Sequence, residues 1–151
     1  MANQRQKIQK LQPLIKVRKM QLDRETTLLT LIHSKRDEAI LSLQLSQKMY
    51  IEGVEKLNRE RQSSERKLLE TMEHGVDFAK AQWYQKLKTL RLIEEDARHQ
   101  MIMVTEAQRR MKMLENLDER YVEQLVKQMN VLEQKEMDEF AIQMNRRKVP
   151  T

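Results

Sequence analysis

Cysteine is absent from this chain of 151 residues. That excludes a disulfide framework and any thiolate metal or redox site, and it fits a reducing compartment. Glycine and proline are nearly absent too, at two each, and aromatic residues make up 4%. A globular core needs turns and large apolar side chains, and both are scarce here. No apolar run approaches the roughly 20 residues of a membrane span. The polar first ten residues lack the apolar stretch of a secretory signal. The chain therefore reads as soluble and cytoplasmic. Acid is missing from the first nineteen residues, which carry Arg5, Lys7, Lys10, Lys16, Arg18 and Lys19.

What remains is the composition of long helices: Leu, Met, Gln, Glu, Lys and Arg dominate, and charged residues reach 34%. The stretch 83–147 contains no glycine or proline. Along it Trp83, Leu87, Leu90, Ile93, Ala97, Met101, Val104, Ala107, Met111 and Leu114 recur at alternating spacings of three and four. Leu117, Tyr121, Leu125, Met129 and Leu132 continue the stripe. A period near 3.5 draws a narrow seam on a helix, not a broad core face. Such a helix is about 95 Å long at about 1.5 Å per residue, so another long helix must cover the seam.

The first half supplies one. Ile15, Leu22, Leu29, Leu43, Tyr50 and Leu57 fall at multiples of seven, joined by Ile32, Ala39, Ile40 and Val54. Arg18, Glu25, Arg36 and Ser46 stand at or beside the same seam, as register-setting polar positions or as ordinary defects. Pro13 suits an N-terminal turn. The stripe fades over residues 59–66 around Ser63-Ser64. Gly75 suits a left-handed C-terminal cap, and Asp77 suits the N-cap that follows.

The expected fold is all-α, a single antiparallel coiled-coil hairpin. Helix 1 spans about 14–62, the tip about 62–77 and helix 2 about 77–147. A parallel dimer of one long helix competes with this, but makes poor use of Gly75 and Asp77. The hairpin is expected to be monomeric.

Chemistry is sparse. His33, His74 and His99 have no metal-ligand spacing, and the Asp96/His99 pair lacks the second pair that a di-iron carboxylate site requires. Two isolated glycines cannot build a phosphate loop, and a two-helix hairpin shelters no nucleophile. No enzyme activity and no cofactor are expected. Formal net charge is +6, but the cations gather near the chain ends (Arg146, Arg147 and Lys148 at the second) and are not interleaved with aromatics along one face. A basic region leading into a zipper is opposed by Pro13 and by the hairpin, so nucleic acid is not an expected partner. The 11 methionines either fill a loose seam or offer adaptable contacts to a partner. Trp83 and Phe140 are large apolar residues where a two-helix seam gives incomplete cover.

Residues 132–141 (LEQKEMDEFA), followed by Arg146-Arg147-Lys148, resemble the C-terminus of the flagellar export protein family FliJ. The specific wording lies within about 114–141, while chain size, paired helices and basic ends match as architecture. Injectisome stalk proteins share the plan. The resemblance implies a non-enzymatic stalk whose partners are a hexameric export ATPase, the cytoplasmic domain of the membrane export gate, and export chaperones. It also implies a cytoplasmic protein held peripherally at the inner membrane. Gate contacts carry over to Leu43, Tyr50, Trp83, Leu87 and Leu90. For the ATPase, the hairpin is expected to bring Lys7, Lys10, Arg18 and Lys19 beside Phe140, Met144, Arg146 and Arg147.

Overall fold

A computed structural model describes residues 2–63 and 65–148; Met1, Ser64, residues 149–151 and the side chains of Ala2 and Lys148 lie outside the described residues. Two helices account for nearly all of it: α1, Ala2–Glu60, and α2, Arg66–Lys148. The two long helices pack against each other, with no strand among the described residues. The fold is the expected all-α hairpin. Its inner boundaries differ from those the local signals suggested.

Helix α1 begins at Ala2, not near Leu14, and Pro13 lies inside it. Proline removes the N–H that would bond the carbonyl of Gln9, a cost of about 3 kcal/mol in a helix interior. Pro13 is exposed while Leu11 is buried and Ile15 half-buried, so the orphaned carbonyl faces water. The seam on either side continues the helix through the defect.

The chain reverses between Glu60 and Arg66, at the N-terminal edge of the expected tip. Ser63 N–H donates to Glu60 O at 3.2 Å, and Leu69 N–H donates to Glu65 O at 3.0 Å, opening α2. Glu65 thus stands where Ser, Thr, Asp or Asn would be preferred. The stronger-looking punctuation at Gly75 and Asp77 lies within α2. No described residue has positive φ, so Gly75 caps nothing. Met72, Val76 and Ala79 are half-buried on either side of it, and their seam carries the helix past the glycine.

Contacts divide the chain into two units, Arg24–Val104 and Met1–Asp23 with Thr105–Thr151. In the first, α1 and α2 run antiparallel: a Cβ placed on Gly53 would meet Val76 Cγ2 at 3.4 Å, and further along Gln100 Nε2 donates to Glu25 O at 3.0 Å. Gly53 on α1 makes room there for Val76 on α2, and nearby Tyr50 stacks on Trp83. Leu57, Leu90, Ala97 and Val104 are the buried residues of this unit.

The second unit has Leu11 and Met111 buried. Its helices are also antiparallel, since Lys7 Nζ lies 5.4 Å from the centroid of Tyr121 and Gln12 Nε2 donates to Asp118 Oδ1 at 3.1 Å. Half-buried positions on α2 continue through Leu125 and Gln128, and then stop. Every residue from 129 to 147 is exposed. Beyond Gln128, α2 continues as a single helix without α1 beside it.

Candidate functional site

The five expected gate residues all fall on the seam of the Arg24–Val104 unit. Leu90 is buried, and Leu43, Tyr50, Trp83 and Leu87 are half-buried. Tyr50 and Trp83 stack with ring centroids 5.5 Å apart and planes at 24°. Tyr84 adds a third ring, also 5.5 Å from Trp83. Lys80 Nζ sits 5.8 Å from the Tyr84 centroid, a contact worth about 0.5–1 kcal/mol at an exposed position. Much of the expected surface is therefore engaged in holding the hairpin together. The outward area belongs to residues that the seam pattern did not select: Tyr84 and Phe78 are 53% and 67% exposed. Met49 and Leu45 are exposed as well. Off-seam aromatics were the available signal, since nothing inside a two-helix pair requires them.

The second expected group does not assemble. Lys7 lies against Tyr121 and Gln12 against Asp118, so the N-terminal part of α1 faces α2 near 118–121. Arg146 is a further 25 residues along, about 37 Å at about 1.5 Å per residue. Lys7, Lys10, Arg18 and Lys19 therefore do not stand beside Phe140, Met144, Arg146 and Arg147. The physical reason is the turn: moving a hairpin turn by one residue shifts the facing residue by two. A reversal between Glu60 and Arg66 leaves the end of α2 without α1.

Two separate surfaces take the place of the single one expected at the chain ends. On α1, Lys7, Lys10 and Lys19 are exposed, with exposed Leu14, Val17 and Met20 among them. Arg18 is half-buried on the seam and donates from Nη1 to Gln21 Oε1 at 3.0 Å. On the unpaired end of α2, Phe140 is 64% exposed and Met137 68%. Glu133, Glu136, Met137, Phe140 and Ala141 line a shallow hollow there. Gln4 Oε1 and Gln128 Oε1, near the place where pairing stops, are buried without a hydrogen-bond partner.

Polar residues also interrupt the Arg24–Val104 seam. Glu25 and Arg36 are half-buried; Glu25 accepts from Gln100 through both its main chain and its carboxylate. His33 Nδ1 and Arg36 Nε are buried without partners, beside a hollow lined by Glu94, Arg98 and Met101. The ion pairs Lys48–Glu52, Arg66–Glu70 and Glu106–Arg110 each join exposed residues of one helix, and Arg36–Asp37 joins the half-buried arginine to its exposed neighbour; such pairs add little to stability. Among the described residues no group of three or more His, Asp or Glu is placed to hold a metal ion. No described helix is long and apolar enough to cross a membrane.

These features define a two-helix antiparallel hairpin, compatible with a coiled coil, with an aromatic patch in one unit and a bare helical end in the other. No family model, no curated protein and no solved structure matches the chain.

Proposed function

We propose that the protein is a non-catalytic stalk of a type III protein export apparatus of the flagellar kind. In this role it couples a hexameric export ATPase to the cytoplasmic domain of the membrane export gate and binds export chaperones. It would work in the cytoplasm, peripherally held at the inner membrane. One observation carries the reading. The FliJ-like wording, 132–141, falls on the part of α2 where every side chain is exposed. Among the described residues no packing within the chain covers Met137 or Phe140, which supports their use in contact with something else.

In this reading the ATPase contact is the bare end of α2, through Phe140, Met144, Arg146 and Arg147. The cationic α1 surface is a second, separate contribution that speeds encounter with acidic partners. The gate contact lies in the Arg24–Val104 unit, where Tyr84 and Phe78 present the area that Tyr50, Trp83 and Leu90 withhold. The test is a pull-down and ATPase-stimulation assay with Phe140→Ala/Arg146→Glu/Arg147→Glu beside Tyr84→Ala/Phe78→Ala. The first variant is expected to stay helical by circular dichroism and to lose ATPase binding and stimulation. The second is expected to keep both and to lose gate binding. Unchanged ATPase binding by the first variant would overturn the reading. So would steeply salt-dependent capture of DNA with no capture of the ATPase.

A further inference from the structure

The bare end of α2 carries a second feature that the export reading does not use. Glu133, Phe140 and Arg147 are spaced seven apart and so share one helical face. An acid and a base stand at equal distances on either side of a central aromatic. Met137 and Met144, three before and four after Phe140, fill in the apolar centre of that face.

We propose that residues 133–147 of α2 pair antiparallel with the same segment of a second copy of this chain, about a two-fold axis at Phe140. The axis sets each Glu133 opposite the partner's Arg147, and the two Phe140 rings meet at the centre. Such an interface is isologous, with the same patch used on both copies. A parallel arrangement would instead set Glu133 against Glu133 and Arg147 against Arg147, so charge selects the antiparallel one.

Two further observations favour a helix as the cover and a second copy as its source. On the face shared by Glu133, Phe140 and Arg147, Met137 and Phe140 are each more than half exposed, and with Glu133 they line a shallow hollow. Residues 133–139 hold four acids and one base, Lys135, while residues 141–147 hold only the bases Arg146 and Arg147, so antiparallel overlap of two copies joins a net acidic half to a basic one.

A helix pair this short falls at the small end of specific interfaces, below about 1,200 Å². Association is therefore reversible and concentration-dependent. It also covers the face assigned above to the ATPase, so self-pairing and ring docking exclude each other. The inference does not rest on the export reading, and its test uses this chain alone.

Sedimentation velocity over a concentration series at low salt is expected to show a monomer–dimer equilibrium. Glu133→Arg and Arg147→Glu each turn two attractions into two repulsions and should weaken dimerisation at least about tenfold. Mixing the two single variants restores a dimer, because both cross-pairs of positions 133 and 147 then set a base on one variant against an acid on the other. The double variant Glu133→Arg/Arg147→Glu self-associates like the starting protein. Phe140→Ala weakens dimerisation with helicity retained. A chain that stays monomeric up to hundreds of micromolar would overturn the proposal. So would a dimer indifferent to these substitutions, or single variants that fail to pair when mixed.

Discussion

Helix α2 is two different objects along its length. Between 66 and 128 it has a partner, and its seam residues Leu90, Ala97, Val104 and Met111 are buried at 9% exposure or less. From 129 to 147 the composition is similar, yet nothing is buried and Phe140 is 64% exposed. Helix propensity is comparable in the two parts, so the difference lies in tertiary cover. The paired part owes its stability to its seam. In the bare part, an apolar residue is free to serve contacts with another molecule.

The largest expected effect breaks the paired side of that comparison. Leu90→Ala should lower stability by about 2–5 kcal/mol, the range for emptying a buried leucine site, measured by urea denaturation of the chain. The next sharpens the boundary between seam and turn. Gly75→Ala should raise stability by about 1 kcal/mol, because nothing lies within 4 Å of the added Cβ and the site is helical. Destabilisation by that substitution would place Gly75 in a turn and contradict the α2 boundary. The smallest effect belongs to the bare side. Phe140→Ala should change the stability of the monomer by no more than about 0.5 kcal/mol, in dilute protein where self-association is absent. A loss comparable to that of Leu90→Ala would mean that Phe140 is packed within the chain.

Local signals in the turn region misled for a definable reason. Gly75 followed by Asp77 has the chemistry of a cap and a new start, whereas Glu65 is a poor N-cap. A cap is worth about 1 kcal/mol, while the half-buried Met72, Val76 and Ala79 contribute seam on both sides of the glycine. The continuous seam outweighs the single cap. Pro13 shows the same balance, with flanking Leu11 and Ile15 sustaining α1 through a missing hydrogen bond.

The aromatic patch was legible as a set of residues but not as a surface. Tyr50 and Trp83 stand out in a chain with 4% aromatics, and the structure does bring them into a stack. Stacking turns them inward, and the exposed area passes to Tyr84 and Phe78. Periodicity selects seam residues, so it finds the groups that hold the hairpin and passes over those that face out.

By itself, the sequence determined that this chain forms long helices with a seam of period near 3.5. That information is local: each apolar residue is read against neighbours three, four and seven away. Only the tertiary structure decided which residue of α1 faces which residue of α2. That offset is set by a turn of a few weakly punctuated residues and doubled by the reversal of the chain. Seven-residue repetition leaves several offsets equally patterned. The offset adopted sets Gly53 against Val76 and Tyr50 against Trp83. From that offset follow the separation of the α1 cations from Arg146 and Arg147, and the uncovered end of α2.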